Sequence, residues 1–386
     1  MKNINLNVAV IEPVGSHGGC NFYDFSLCRS LVRAGVRTRL YSCDKTVCDS
    51  GELFELHTPY RRIYGSDPSW KRGLRFLRGS IVALMGSRLN GTKIAHFHFY
   101  HVSILEFFNI LLSRLLMMKV VITAHDVESF KSELSQDHFV TWSYTLAHAI
   151  IAHNEISKLE LVQKLGVPEL KIKVIRHGNH AEYFAVRPTR LEACKALDLD
   201  PDDFNIVFFG QIKEVKGLDI LIKALPMVVQ QSRRSVRLVI AGRVWKDDFS
   251  KYQSLIDELN LVDRVKLFIR YISDEELPAF YASADVMVLP YKRIYQSGVV
   301  LMAMTFGTPV MVSDIPGMVE VVTDGVTGMA FRSGDPDDLA NKLIQAARKP
   351  EMLLDMASRA KQHMETEYDW TLIGQQTAEC YRHILG

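Results

Sequence analysis

The chain has 386 residues, more than the roughly 100–200 of one ordinary domain, so two domains are expected. Hydrophobic residues make up 48% and charged residues 23%, which excludes a wholly disordered, collagen-like or coiled-coil chain. Lys+Arg minus Asp+Glu is 46 − 44 = +2, too little for a dedicated nucleic-acid binder, although local basic patches stay open.

Six cysteines lie at 20, 28, 43, 48, 194 and 380, without a CxxC pair or zinc-ligand spacing. Disulfide scaffolds belong to short secreted chains, so reduced thiols and a cytoplasmic protein are expected. The N-terminal apolar run is too short for a signal peptide. The greasiest stretch, 107–123, is broken by Arg114 and Lys119, short of the ~18 residues a membrane span requires.

In chain order, 8–11 is a short apolar strand that ends in Pro13 and a loop with Gly15, Gly18 and Gly19. From 21 to 34, Phe22, Phe25, Leu27, Leu31 and Val32 recur at helical spacing, and Gly35 is a C-cap. Residues 36–43 form the second strand. Further strand-like runs occupy 93–98, 120–124, 149–153 and 173–175, with helical patterns between most of them. Such alternation predicts a parallel sheet covered on both faces. The pattern weakens over 185–203, read as a linker between domains 1–184 and 204–365. Strands then recur at 206–209, 237–241, 265–268, 286–290 and 310–313. A helix over 366–386 closes the chain and is expected to return to the first domain. Two doubly wound sheets with a shared cleft are the predicted architecture, because such sheets bind ligands beyond the carboxyl ends of their strands.

Two stretches carry chemistry. In the first, a strand ends at Phe209, Gly210 permits a tight turn, and Gln211, Lys213 and Lys216 follow before a helix. Two lysines at a helix N-terminus make an anion site, though a solvated basic loop also fits this segment alone. In the second, the 286–290 strand leads to Ser297, Gly298 and Val299, which open a helix that stops at Gly307 before Pro309. Ser is a favoured N-cap, and the free N–H groups beside Gly298 suit a phosphate, though a plain βαβ turn fits too.

Together these stretches resemble the C-terminal half of the retaining GT-B glycosyltransferases of family 4. The likeness runs in order through Ile240-Ala241-Gly242, Asp263-Arg264-Val265, Tyr271 to Leu277 and Gly317 to Gly328. More loosely, Gly18-Gly19, Thr123-Ala124-His125-Asp126 and Ile175 to Asn179 resemble the family's N-terminal half. The resemblance implies two Rossmann-like α/β domains. It also implies transfer of a sugar from a nucleoside-diphosphate sugar to a glycan or lipid-linked acceptor hydroxyl, in exopolysaccharide, lipopolysaccharide or other glycoconjugate biosynthesis. Lys216 and the N–H groups at Gly298 and Val299 would meet the charge that grows on the departing phosphate, with no metal and no other cofactor. His125 and Asp126 would stand near the donor sugar and acceptor. Gly18, Gly19, Gly210, Gln211, Lys213, Ser297 and Glu320 would complete the donor site.

The sequence departs from that family at two places. Gln211 stands where an Arg often follows the glycine, and Lys213 is a candidate replacement. Ile294 and Met302 stand at the positions of the family's paired glutamates, as in a subgroup that lacks them, and Glu320 is a substitute to consider. A metal at His96, His98 and His101, at Asp247-Asp248 or at Asp337-Asp338 is disfavoured, for want of a third ligand or of a suitable context. Residues 70–85 mix Trp70, Lys71, Arg72, Arg75 and Arg78 with an apolar run, which fits peripheral membrane contact or a helix with its cations in water. Two other functions remain: a nucleotide-sugar epimerase of similar architecture, and a non-catalytic nucleotide-sugar binder.

Overall fold

A computed structural model describes residues 6–17, 21–48, 50–100, 102–125, 138–181 and 187–386. The chain forms two compact units, Met1–Gly178 with Tyr368–Gly386, and Asn179–Glu367.

The first unit holds seven parallel strands: β1 (Asn7–Ile11), β2 (Arg37–Cys43), β3 (Glu55–Tyr60), β4 (Ile94–Phe99), β5 (Lys119–Ala124), β6 (Ala149–Ala152) and β7 (Ile172–Val174). Their spatial order is β3-β2-β1-β4-β5-β6-β7. Central β1 pairs with both neighbours, Val8 facing Thr38 on one side and Ile94 on the other. Alternate β1 residues enter two cores, as the two-residue period of a strand requires. Val8 and Val10 pack with Leu27, Leu31, Ile373 and Tyr381. Ala9 and Ile11 pack with Ala83, Leu84, Ile110 and Tyr144.

The C-terminal helix, Trp370–Leu385, belongs to this first unit, as expected. Asp369 caps it, accepting from the N–H groups of Thr371 at 2.8 Å and Leu372 at 3.3 Å. It lies against the helix Asn21–Arg33 so closely that a Cβ on Gly374 would stand 2.6 Å from the backbone of Ser30.

The second unit holds six parallel strands: β8 (Phe204–Phe209), β9 (Val236–Ala241), β10 (Val265–Phe268), β11 (Val286–Leu289), β12 (Val310–Ser313) and β13 (Met329–Phe331). Their order is β10-β9-β8-β11-β12-β13. In both sheets the order reverses beside the first strand, at β1/β4 and at β8/β11. Loops leaving these pairs splay apart and leave room for a ligand.

The linker reading for 185–203 is corrected over much of its length. The helix Arg190–Leu197 is part of the second unit: Thr189 and Glu192 form a capping box, and Ala193, Cys194 and Leu197 are buried. Arg190 ties it to β11 through Asp285 at 2.7 Å. Residues 182–186 lie outside the described residues. The final helix starts at Trp370, and 366–367 end the preceding helix, Pro350–Glu367.

Gly374→Ala weighs two opposed effects. Alanine gains about 1 kcal/mol of helix propensity, but overpacking against backbone costs about 1–3 kcal/mol. The Ser30 backbone cannot move as a side-chain tip can, so the variant should unfold at lower urea. An unchanged or higher urea midpoint would contradict this packing.

Candidate functional site

In the second unit the site grows from close backbone contacts at the carboxyl ends of β8, β9 and β11. Gly210, just past β8, has φ 116°, and Gly242, just past β9, has φ 143°. A Cβ on Gly242 would stand 1.8 Å from the Gly210 carbonyl oxygen, so only glycine fits. The loop after Gly210 is then pinned. Ile212 donates to the Arg243 carbonyl at 2.9 Å and accepts from the Trp245 N–H at 3.0 Å.

A 3₁₀ turn, Glu214–Lys216, follows and ends in left-handed Gly217, where a Cβ would strike the Pro290 carbonyl oxygen. The Lys292 N–H binds the Val215 carbonyl at 2.8 Å. These contacts set the Lys216 ammonium 3.7 Å from the ring centroid of Tyr291, and burial lowers its pKa to about 8. The aromatic face favours the cation, while loss of water disfavours it; the second effect wins.

Tyr291 lies at the start of the loop that leads to Ser297. That serine is buried and caps the helix Gly298–Phe306, its Oγ accepting from the Val300 N–H at 3.4 Å. The helix stops at left-handed Gly307. Gly298 is exposed with open space around its Cα, and a Cβ on Gly210 would touch Val299 Cγ2 at 3.3 Å. Gly210, Val299 and the Lys216–Tyr291 pair therefore cluster at one end of the sheet. The first-turn N–H groups of a nine-residue helix add partial positive charge there. Gln211 is exposed, and Lys213 is half-buried at the head of the 3₁₀ turn.

Glu320, the candidate substitute for the glutamates, is exposed and ends the single-turn helix Pro316–Val319. The N–H groups of 318–322 are all taken by the carbonyls of Ile315, Pro316 and Met318. Half-buried Met302 accepts the Tyr281 hydroxyl on its sulfur at 3.5 Å. Half-buried Ile294 presses its carbonyl against Gly317, where a Cβ would stand 2.2 Å away.

In the first unit, Gly18, Gly19 and Asp126 lie outside the described residues, as does His101. His125 follows β5. Its ring stacks on Tyr100 at 4.4 Å and meets Tyr23 edge-on at 4.6 Å. Its Nδ1 is 3.2 Å from His153 Nε2, and His153 Nδ1 is 3.0 Å from the Ile175 carbonyl oxygen. A carbonyl only accepts, so His153 Nδ1 carries its proton and, in the neutral ring, Nε2 accepts. His125 Nδ1 must then donate, which leaves His125 Nε2 as a bare lone pair. That atom is buried with no hydrogen-bond partner among the described residues. Burial first, and then the neighbouring His153, hold His125 well below the usual histidine range, in accord with a neutral base.

The surrounding shell was missed by sequence reasoning. His98 Nδ1 meets Asp24 at 2.6 Å, and His96 bridges the Tyr381 hydroxyl at 2.6 Å and Thr123 at 2.7 Å. His96 is thus held by protein groups at both ring nitrogens and His98 at one, and His98 Nε2 is enclosed without a partner among the described residues. Glu12 accepts from the Val14 N–H at 2.9 Å and from the Gly15 N–H. Burial, followed by Asp24, raises its pKa to about 8. His153 carried a signal, since it ends a strand run just before the N-cap Asn154; Asp24, inside an apolar helix, carried another. Among the described residues no group of three or more His, Cys, Asp or Glu is placed to hold a metal ion. Asp247 pairs with Lys251 and Tyr252, and Asp338 accepts from the Arg332 N–H at 2.7 Å.

Two family models match the chain: "Glycosyl transferases group 1" over residues 190–363 and "Glycosyltransferase Family 4" over residues 17–182. An uncharacterized glycosyltransferase of Methanocaldococcus jannaschii is 28% identical over 60% of this chain and 59% of its own length. The D-inositol 3-phosphate glycosyltransferase of Gordonia bronchialis is 28% identical over 58% of this chain and 50% of its own. The chain thus matches little more than half the length of these curated relatives. Anabaena HepE, crystallised with UDP, superposes with a TM-score of 0.76 at 18% identity, over 98% of this chain and 100% of that one.

The buried histidines set a pH dependence. A free histidine titrates near 6.5, whereas burial lowers His98 and His177 to about 4 and His153 to about 3. Across those intervals the unfolded chain binds more protons, so stability rises with pH up to about 6.5. Glu12 has the opposite sign: at about 8 when folded against 4.5 when free, it lowers stability as pH rises between those values. Burial raises the Asp24 carboxyl as well, so two carboxyls oppose the several histidines below 6.5 and act without them above it. The urea midpoint should therefore rise to a maximum near pH 6.5 and then decline, and Glu12→Gln should make that decline shallower. A flat profile below pH 6.5 would mean that the histidines titrate freely.

Proposed function

Because this chain belongs to the family 4-like glycosyltransferases of the GT-B fold, we propose that it moves a sugar, with retention, from a nucleoside-diphosphate sugar to an acceptor hydroxyl. The observation that carries this reading is the cluster of Gly210, Lys216 and the helix start at Ser297–Val299 beyond the carboxyl end of the second sheet. HepE in complex with UDP and with UDP-glucose supports a nucleotide sugar as the donor.

As the glycosidic bond breaks, negative charge grows on the leaving phosphate. The Lys216 ammonium and the Gly298 and Val299 N–H groups oppose that charge from fixed positions, which favours the transition state over the ground state. They take the part a divalent ion plays elsewhere, so the reading needs no metal or other cofactor. Gln211 and Lys213 extend the polar rim of the diphosphate site, and Gly18 and Gly19 are assigned by their place in the sequence to donor binding. Glu320 is assigned to donor hydroxyls in place of the glutamates absent at Ile294 and Met302. His125 Nε2, a lone pair with no protein donor, accepts from a sugar or acceptor hydroxyl, with Asp126 beside it in the chain.

The acceptor is a glycan or lipid-linked alcohol in polysaccharide or glycoconjugate synthesis. We place the protein in the cytoplasm, with peripheral membrane contact through the helix Ser69–Leu89. That helix exposes Trp70, Leu74, Ile81, Val82 and Met85 among its cations. No described helix is long and apolar enough to cross a membrane. Met302, bound to Tyr281 and unable to accept from a ribose as a carboxylate does, favours one second reading, a nucleotide-sugar binder without transfer.

Transfer should persist in excess EDTA; complete loss that magnesium restores would overturn the metal-free mechanism. Lys216→Ala should lower kcat by roughly 10²–10³, or about 3–4 kcal/mol, because the contact strengthens with the developing charge. The titration of Lys216 at about 8 gives a second check. The ammonium is present below that value and lost above it, so kcat/KM should fall as pH rises through about 8. Lys216→Arg should flatten that alkaline limb while retaining activity above that of the alanine variant. A folded Lys216→Ala protein with unaltered turnover and donor affinity would overturn the assignment. Tight donor binding without transfer to any acceptor would favour the binder.

A further inference from the structure

A second charged concavity lies in the first unit, along the edge of its sheet. It has a volume of about 810 Å³, within the range of roughly 300–1,000 Å³ typical of small-molecule sites. Six arginines line it: Arg37 and Arg39 from β2, Arg61 and Arg62 from the turn after β3, and Arg75 and Arg78 from the helix Ser69–Leu89. The lining holds one carboxylate, Glu55.

The arginines are positioned rather than merely exposed. Glu55 holds Arg37 and Arg39 at 2.8 Å each, and their hydrogen bonds, that of Arg39 foremost, lower its pKa to about 2. Arg39 is 5% exposed and also donates to Thr92 at 3.2 Å. Asp67 holds Arg75 at 2.6 Å. Arg62 takes a left-handed backbone with φ 53°, which is strained for a side-chain-bearing residue. Its N–H is held by Asp44 at 3.0 Å and its carbonyl by the Arg75 guanidinium at 2.9 Å. Arg61 and Arg78 are exposed and have no acidic partner among the described residues. Gly86 leaves open space in the helix wall, and Tyr41 stacked on His57 at 5.0 Å supplies a flat side.

We propose that this trough is an anion-binding site, separate from the donor site, for a compact ligand that carries two or more phosphate groups. Guanidinium forks match phosphate oxygens two at a time. With Asp67, which holds Arg75, counted beside Glu55, the six arginines keep a surplus of four positive charges (6 − 2), more than one phosphate would neutralise. A soluble phosphorylated metabolite and a phospholipid headgroup share this chemistry.

The probe is inorganic tripolyphosphate, titrated calorimetrically into the full chain at low ionic strength. Binding should weaken steeply as salt rises. Arg61→Glu combined with Arg78→Glu should weaken it roughly tenfold or more, and the paired glutamine variants should fall between. Circular dichroism melts confirm that each variant is folded. Lys216→Ala should retain this binding, which separates the trough from the donor site. No binding by the wild-type chain overturns the proposal. So does binding lost in Lys216→Ala yet kept in the folded double-glutamate variant. Given tripolyphosphate binding at the trough, vesicles of cardiolipin, whose headgroup carries two phosphates, in phosphatidylcholine identify the source. Release of vesicle-bound protein by tripolyphosphate assigns a lipid headgroup. Absent or unaffected vesicle binding assigns a soluble ligand.

Discussion

The second unit depends on backbone meeting backbone at the carboxyl ends of its strands. Gly242 abuts the Gly210 carbonyl, and Gly217 abuts the Pro290 carbonyl, at separations no Cβ tolerates. These two contacts bring the β8 loop against the β9 and β11 loops. Without them Lys216 would not lie on Tyr291, and Val299 would not reach Gly210. Fixing a long, flexible cation costs side-chain entropy. The glycine contacts meet part of that cost in advance, because the loop that bears Lys216 has little freedom left to lose when a ligand arrives. Electrostatic preorganisation of this kind opposes charge without reorganisation at the moment it develops.

The first unit solves a different problem at the corresponding edge of its sheet. Glu12, Asp24, His96, His98, His125, His153 and His177 are gathered there, and most are buried. Charged groups in such a place would cost several kcal/mol each. The structure avoids this by proton sharing: Asp24 with His98, His96 with Tyr381 and Thr123, His153 with the Ile175 carbonyl. The Ile175 carbonyl, which only accepts, fixes the tautomer of His153, and that ring in turn orients His125. The chain of assignments ends at His125 Nε2, which the network leaves as a lone pair without a partner among the described residues. His98 Nε2 is likewise unpartnered, but its ring is fully enclosed.

Much of this was legible in the sequence. Eleven of the thirteen strands follow apolar runs bounded by Gly, Pro or polar clusters, and both sheets were read as doubly wound. The two that escaped are β3, with sequence ELHTPY, and the three-residue β13. β3 is an edge strand, half-exposed and rich in polar side chains, so it lacks the buried apolar run that signals a central parallel strand. The Ser297 cap and the Gly307 stop were visible because capping is local. The placement of 190–203 was not, because a short helix with a capping box reads the same whether it docks on a sheet or spans a gap. The pairings of His153 and Asp24 were hidden for a related reason. Their roles arise from partners 22 to 74 residues away, and only the fold brings those together.

The exchanged glutamates gain a physical account from the same comparison of local and distant forces. Met302 sits within a helix whose mean composition is strongly apolar, facing a fully buried tyrosine. The Tyr281 hydroxyl donates to its sulfur at 3.5 Å, a weak bond. A carboxylate at 302 would accept that hydroxyl far more strongly, yet it would have to lose water to do so. The apolar surroundings make methionine the compatible choice, since its polarizable thioether fills space and still offers an acceptor. Recognition of the donor must then rest more heavily on the diphosphate, where Lys216 and the Ser297–Val299 turn supply fixed charge, than on hydroxyl contacts from this helix.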